Sequence, residues 1–203
     1  WDGWTCTGQV ITWYVAGDFN QWNTSANKLD CSINLDANKT YAFKIYGNGI
    51  WLGNDGTMTR QYSEGWIMDN AADCHITTDF AGSYQFSFDI NTGKLTVAYP
   101  EQCFLKGSFN DWEETHSILN GSVTVTLAAG THTFKIYRYD SHGTPYWCGN
   151  TGTMTRENCS GWTMSSEVND DCKITADFDG DYTFTYDRST GKLSVTYPTA
   201  YKV

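Results

Sequence analysis

The chain has 203 residues, enough for one large domain or two small ones of about 100 residues each. Its formal net charge is −10, with 13 Lys and Arg against 23 Asp and Glu, so we exclude nucleic acid and anionic membrane surfaces as partners. Aromatic residues make up 16% of the chain, more than small cores hold, and no apolar run approaches the roughly 18 residues of a membrane span.

The first distinctive stretch is "GDFNQWN", residues 17–23. Trp22 stands there among Asn, Asp, Gln and Gly, whereas a core tryptophan normally belongs to a strand of alternating polarity. We therefore expect Trp22 to be exposed. The Gly and Asn residues are typical of a turn, and we expect Phe19 to anchor the loop to the fold.

Next comes "YAFKIYGNGIWLGNDGTMTRQYSEGWIM" from Tyr41, a strand followed by several loops. Trp51 lies between "GNGI" and "GNDG", a setting typical of a loop tip. Trp66 lies in "GWIM", where the neighbouring apolar residues are as consistent with a core role as with ligand binding.

The first half ends in strand signals. In "SYQFSFD", Tyr84, Phe86 and Phe88 alternate with polar residues, and "DINTGKLTVAY" indicates a hairpin with Gly at the turn position that needs positive φ. Asp89 opens that turn, an ordinary capping position.

The second half repeats the first. "GSFNDWE" at 107–113 corresponds to the opening loop, "HTFKIYRYDSHGTPYWCGNTGTMTR" follows from His132, and "CKITADFDGDYTFTYDRSTGKLSVTYP" extends from Cys172 to Pro198. The repeated tryptophans are Trp112, Trp147 and Trp162, and Lys135 corresponds to Lys44. The largest insertion in the second repeat is five residues long and lies before Trp147. The rim of a second site would therefore differ from that of the first.

This pattern predicts an all-β fold of two tandem antiparallel β-sandwich modules, immunoglobulin-like, over residues 1–100 and 101–203. We expect six to eight short strands in each module. No window of the sequence has a persuasive helical period.

We expect that the protein is not an enzyme and that it binds no cofactor. No nucleophile motif is present, and the adjacent Glu113 and Glu114 have no counterpart in the first repeat. The motif "DFDGD" (Asp177, Asp179, Asp181) resembles part of a calcium loop but lacks its bidentate Glu, so a solvated acidic turn is the preferred interpretation. Without a CxxC motif, and with four His, a zinc site is also disfavoured.

The motifs "GDFNQW" and "GSFNDW", each followed by "FKIY" and a further Trp, resemble the glycogen- and starch-binding β-sandwich module, carbohydrate-binding module family 48. Related accessory modules occur in amylopullulanases and in surface starch-binding proteins of gut anaerobes. The resemblance covers about 40 residues of each repeat, and it implies that a loop Trp, a strand Lys and a second Trp bind the glucan. These residues are Trp22, Lys44 and Trp51 in the first repeat, and Trp112, Lys135 and Trp147 in the second.

The later part of each repeat departs from the family pattern, with "GTMTR" and a third Trp. For the polar residues that complete each site our candidates are Asn54 and Arg60, with Asn150 and Arg156 in the second repeat. Trp66 and Trp162 are further candidates for glucan binding.

Seven cysteines indicate an oxidising compartment, and the odd number leaves at least one unpaired within the chain. Cys148 and Cys159 are both absent from the first repeat, so we expect a Cys148–Cys159 disulfide that braces the loop carrying Trp147. Cys74 and Cys172 occupy the same place in each repeat, and a core role for both thiols remains open.

The sequence therefore predicts a non-catalytic protein that binds starch or maltooligosaccharides through two Trp platforms. We expect it to be extracellular or attached to the cell surface, where other starch-degrading surface proteins could join it through regions outside this fragment. The alternative is a protein-interaction or adhesion module that uses the same exposed aromatic patches.

Overall fold

The computed structural model describes residues 11–69 and 72–199, which form an all-β protein with no α-helix in those ranges. The chain divides into two compact units between Pro100 and Glu101, and Ser141–Gly143 group with the first unit. No helix in the described part of the chain is long and apolar enough to cross a membrane.

The first module has nine strands within the described residues, slightly more than predicted. They are β1 (Tyr14–Gly17), β2 (Cys31–Leu35), β3 (Thr40–Gly47), β4 (Ile50–Leu52), β5 (Thr57–Met58), β6 (Trp66–Ile67), β7 (Cys74–Thr77), β8 (Gly82–Asp89) and β9 (Lys94–Ala98). One sheet has the order β1-β3-β7-β5, with β4 paired to β3, and the other has the order β2-β8-β9-β6. All pairs are antiparallel except the short parallel pair β5–β7.

The second module repeats this topology. Its strands are β10 (Gln102–Gly107), β11 (Ser122–Leu127), β12 (Gly130–Tyr139), β13 (Pro145–Cys148), β14 (Thr153–Met154), β15 (Trp162–Thr163), β16 (Cys172–Ala176), β17 (Gly180–Asp187) and β18 (Lys192–Thr196). The sheets run β10-β12-β16-β14, with β13 on β12, and β11-β17-β18-β15. The fold class predicted from the repeat, two tandem β-sandwich modules, is confirmed, with one parallel pair in each module.

Each core lies between two sheets whose strands alternate buried and outward side chains. Phe43 of β3 meets Phe86 of β8 edge-on at a centroid distance of 5.5 Å, and Phe134 meets Phe184 in the same way at 5.4 Å. Because Phe43 and its strand neighbour Ile45 are fully buried, the residue between them, Lys44, faces outward. The outer face of this sheet carries the candidate site.

The predicted hairpin turns are confirmed. Gly93 and Gly191 both have φ of 67°, the left-handed region that glycine adopts without strain. The Asp187 carboxylate accepts bonds from the Ser189 amide at 2.9 Å and the Thr190 hydroxyl at 2.7 Å. Asp89 does the same in the first module, so this repeated aspartate has a turn-forming role.

Candidate functional site

The loop after β1 is organised by one asparagine side chain. Asn20 Oδ1 accepts from the Gly17 amide at 2.9 Å, while its Nδ2 donates to the Val15 carbonyl at 3.0 Å and to Asn27 Oδ1 at 2.7 Å. Asn110 repeats the arrangement in the second module with Gly107 at 2.8 Å. The repeated Asn is therefore explained by the shape of the loop.

Two further loop residues fix this shape. A Cβ atom at Gly17 would lie 2.4 Å from the Ala42 carbonyl oxygen and 2.6 Å from the Phe43 Cβ, so no larger residue fits against β3. Phe19 packs on the core, with its ring centroid 5.9 Å from that of Phe86. The prediction that Phe19 anchors the loop is confirmed.

The tryptophan of this loop has an unusual backbone. Gln21 and Trp22 have φ of 56° and 59°, and Asp111 and Trp112 have φ of 50° and 62°. Left-handed φ is uncommon outside glycine, and such residues cost about 1–3 kcal/mol each. The same costly conformation occurs in both modules, and in each it turns the Trp ring toward the outer face of the sheet.

There the loop Trp meets the second predicted Trp. The ring centroids of Trp22 and Trp51 are 6.3 Å apart with planes inclined at 57°, and those of Trp112 and Trp147 are 6.1 Å apart at 58°. Trp51 and Trp147 are 38% and 39% exposed, whereas Trp22, which we expected to be exposed, and its copy Trp112 are half-buried because each packs against its partner Trp. We call each pair a platform: the first is Trp22 with Trp51, and the second is Trp112 with Trp147.

The predicted lysines lie on the same outer face as the platforms. Lys44 Nζ is 2.8 Å from Asp73, while Lys135 Nζ donates to the Asn169 carbonyl at 2.5 Å and lies 3.3 Å from Asp171. An open pocket of about 380 Å³ joins the second platform to these groups, lined by Trp112, Lys135, Trp147, Asn169 and Asp171. The site thus combines tilted indole planes with a lysine and a carboxylate.

The sequence matches no protein-family model and no curated protein. The two modules of the chain can nevertheless be compared with each other.

Each site has a further aromatic residue that we did not predict from the sequence, Tyr46 in the first module and Tyr137 in the second, and we call it the aromatic floor of the platform. Tyr46 on β3 lies opposite Trp51 on β4, with centroids 4.7 Å apart, and Tyr137 lies 4.3 Å from Trp147. The signal was present in the alternation of β3, because a residue two positions after the outward Lys44 must also face outward.

The predicted asparagines have turn-forming roles. Asn54 Nδ2 donates to the Ile67 carbonyl at 2.9 Å, and its Oδ1 accepts from the Gly56 amide at 2.9 Å. Asn150 makes the matching bonds to Thr163 and Gly152. Both ends of each amide are thus occupied by backbone groups, and glucan contact by Asn54 and Asn150 stays a prediction.

The predicted arginines brace the sandwich. Arg60 is 6% exposed, binds Asp79 through Nε at 2.5 Å and through a terminal nitrogen at 2.9 Å, and lies over the Tyr99 ring at 5.2 Å. Arg156 repeats the ion pair, with Asp177 at 2.5 Å, and lies over the Tyr197 ring at 5.0 Å, but its side chain is exposed and glucan contact by Arg156 stays a prediction. These contacts explain why the Arg and the Asp recur together, and they leave Arg60 almost no surface for a ligand.

The third tryptophans pack against the cores. Trp66 donates from Nε1 to the Tyr62 carbonyl at 3.0 Å, and Trp162 donates to the Asn158 carbonyl at 2.5 Å. Both are partly buried against their module's core, on strands β6 and β15 of the sheet opposite the platforms. Of the two interpretations that the sequence left open, the core role is the one that these contacts favour.

The expected Cys148–Cys159 disulfide is wrong in this structure, where both are free thiols. Cys148 follows the exposed Trp147 on β13, so it faces the core, whereas Cys159 is half-buried in the turn before β15 and its Sγ contacts the Arg156 carbonyl at 3.3 Å. Cys74 and Cys172 are buried core thiols, and burial raises the pKa of each to about 12. Cys6 lies outside the described residues.

The three aspartates of "DFDGD" bind three different partners. Asp177 binds Arg156, Asp179 accepts from the Ala129 amide at 2.7 Å, and Asp181 accepts from the Thr126 hydroxyl at 2.7 Å. Within the part of the chain that the structure describes, no group of three or more His, Cys, Asp or Glu residues is arranged to hold a metal ion. These contacts favour the acidic turn over a calcium loop.

Proposed function

We propose that each module binds an α-glucan chain, such as starch or a maltooligosaccharide, on its platform and without catalysis. The observation that carries the proposal is the recurrence of one Trp pair, tilted by 57° and 58°, in two modules of the same chain. The face of an indole ring carries negative partial charge, so the C–H faces of a pyranose ring pack on it favourably. Planes inclined in this way suit a curved α-linked chain better than a flat one.

The polar neighbours of each platform match the same ligand. A lysine ammonium donates hydrogen bonds and a carboxylate accepts them, and a sugar hydroxyl can do both. The first platform has Lys44 with Asp73; at the second, Lys135 is 8% exposed and already donates to Asn169, so Asp171 is the more accessible polar group there. The opposite charges largely cancel, so a neutral ligand is favoured. Two sites on one chain would also raise retention on an insoluble granule.

Such a protein would meet its ligand outside the cell, and we propose an extracellular or surface-attached location for it. Other starch-degrading surface proteins would be its neighbours there. The competing hypothesis is that the same Trp pairs bind a partner protein. The following test separates glucan binding from protein binding.

The test is isothermal titration with maltoheptaose, together with retention on granular starch. Trp22→Ala with Trp51→Ala should abolish binding at the first platform, and Trp112→Ala with Trp147→Ala at the second. Each single change should cost at least about tenfold in affinity. Tyr62→Ala is the matched control, because Tyr62 is a 70% exposed aromatic outside the platforms.

A flat β-linked oligosaccharide should give little heat. The proposal fails if titration with maltoheptaose gives no heat of binding. It also fails if the protein in which all four platform tryptophans are replaced is still retained on granular starch. Retention by a partner protein but not by starch would support the adhesion reading instead.

A further inference from the structure

The two platforms differ most beside their aromatic floors. On β10, Lys106 pairs in register with Lys135, and at the matching place on β1 the first module has Ala16 opposite Lys44. The outer face of the second module therefore carries an extra ammonium next to the platform. The difference between the two sites therefore extends beyond the inserted loop.

Lys106 is placed against the rings of the second platform. Its Nζ lies 4.5 Å from the Tyr137 ring centroid and 5.0 Å from that of Trp147, and its side chain is only 12% exposed. A cation within about 6 Å of an aromatic centroid is attracted to the ring, more strongly when it is shielded from water. Lys106 thus holds both rings from one side.

An ion pair and two hydrogen bonds fix the lysine in turn. Lys106 Nζ lies 3.6 Å from the Glu114 carboxylate, which accepts from the Tyr139 hydroxyl at 3.3 Å, and that hydroxyl accepts from Tyr137 at 3.1 Å. Burial, together with the bond to Tyr137, raises the pKa of Tyr139, so its hydroxyl stays protonated and continues to donate. The corresponding residues of the first module are Thr24 and Asn48, which cannot form this network.

The ring geometry differs in the direction that this network predicts. Tyr137 and Trp147 are 4.3 Å apart with planes at 43°, whereas Tyr46 and Trp51 are 4.7 Å apart at 52°. Tyr137 is buried, while Tyr46 is half-buried. A binding surface that is already ordered loses less conformational entropy when it takes a ligand.

The loop tryptophans differ as well. Trp22 Nε1 donates to Asp18 at 3.2 Å. In the second module Ser108 stands at that place, and among the described residues none accepts a hydrogen bond from Trp112 Nε1. The Trp112 indole N–H is therefore available to a sugar hydroxyl, which again favours the second platform.

We infer that Lys106 is a positioning residue for Trp147 and that the second platform binds α-glucan more tightly than the first. This inference rests on the proposed function. Lys106 acts through the rings and makes the second module the principal attachment point of the chain, while the first adds a weaker contact.

The experiment compares two proteins by titration with maltoheptaose. One keeps only the second platform (W22A/W51A) and the other keeps only the first (W112A/W147A). The former should bind about fivefold more tightly. In it, Lys106→Met keeps the apolar stem but removes the ammonium and should lose that advantage, whereas Lys106→Arg keeps a cation and should retain most of it.

Two further measurements separate positioning from folding. Thermal unfolding checks that Lys106→Met is folded, and Glu114→Gln provides a milder change that should lower affinity in the same direction. The near-ultraviolet circular dichroism of the aromatic rings should change in Lys106→Met before any ligand is added. An overall structural role would move the unfolding temperature and leave the Kd of the folded protein unchanged.

The inference is overturned if folded Lys106→Met binds as tightly as its parent, or if the first platform proves equal to or tighter than the second. Either result would leave the proposed function standing. Failure of both single-platform proteins and of the parent chain to bind maltoheptaose would instead sink the proposed function, and the inference with it.

Discussion

Replacing Asn110 with Ala should damage the second platform without touching a ligand-facing side chain. The Asn110 side chain accepts from the Gly107 amide at 2.8 Å and donates to the Leu105 carbonyl at 3.2 Å and the Glu113 carbonyl at 3.0 Å. These bonds tie the loop together at the point from which Trp112 projects. Their loss removes the constraint that keeps Trp112 in the left-handed region.

The magnitude follows from the bonds and the strain. The three bonds to backbone groups, at about 0.5–1.5 kcal/mol each and partly replaced by water because the loop is only half-buried, give a loss of about 2 kcal/mol in unfolding free energy, and the side-chain contacts to Thr115 and His116 add to it. For a module of about 100 residues this lowers Tm by roughly 10 °C. Two left-handed residues store about 1–3 kcal/mol each, so the freed loop should leave this conformation most of the time. A binding-competent population near 10% raises the apparent Kd about tenfold.

The assay is maltoheptaose titration of Asn110→Ala in the protein that keeps only the second platform, with thermal unfolding of the same sample. Asn20→Ala is the matched change in the other module and should weaken only the first platform. If Asn110→Ala lowers Tm but leaves the Kd unchanged, the loop does not hold Trp112 in place. If Asn20→Ala weakens the second platform, the modules do not act separately as assumed.

Two further predictions concern the scaffold. Arg60→Met should lower the unfolding free energy by about 2 kcal/mol, less than for a fully buried pair because Asp79 is partly exposed, and should leave the Kd of the first platform within about twofold. A large loss of affinity at unchanged stability would restore Arg60 as a glucan ligand. Cys74 and Cys172 should resist iodoacetamide at pH 8 in the folded protein and react only on unfolding, because burial raises the pKa of each from 9.0 to about 12. The pKa of each thiol is higher in the folded than in the unfolded protein, so the contribution of the two thiols to stability is complete below pH 9 and is lost as the pH rises toward 12. Unfolding curves measured from pH 8 upward should show this decline in stability. Rapid labelling of the native protein by iodoacetamide would contradict the burial of the two thiols.

The strand pattern carried most of the fold. Alternation in "SYQFSFD" placed Tyr84 and Phe86 in the core, and the repeat implied that one topology would occur twice. The nearest-neighbour order of the sheets, with β7 between β3 and β5, was not readable, because strand pairing over long sequence separations depends on the whole core.

Part of the site geometry followed from the sequence, because the two predicted Trp residues of each module meet on the outer face of the sheet. Recurrence between the repeats marks every residue that either fold or ligand requires, so it does not separate Trp22 from Asn54 and Arg60, whose side chains bind backbone groups and Asp79. Lys106 could not be found by that rule, since it occurs in one repeat only. Its role depends on the register of β10 against β12, which brings it to the platform.

The disulfide prediction failed for a reason that the sequence contained. Joint absence of two cysteines from the first repeat is compatible with a bond but does not place them together. Successive residues of a strand face opposite ways, so an exposed Trp147 sends Cys148 into the core. Because Cys159 lies in a turn outside that strand, alternation alone should have counted against the pair.

The repetition can now be divided between fold and ligand. Gly17 recurs because β3 leaves no room for a side chain, Phe19 because it fills the core, Asn20 because it bonds the loop, and Arg60 because it pairs with an aspartate. None of these reasons extends to Trp22 and Trp51 or to their copies. The fold gains little from a Trp that is 38% exposed, and it pays strain energy for one held at positive φ. Two modules that keep the same costly pair while their surrounding residues diverge support the proposal of a ligand that both of them bind.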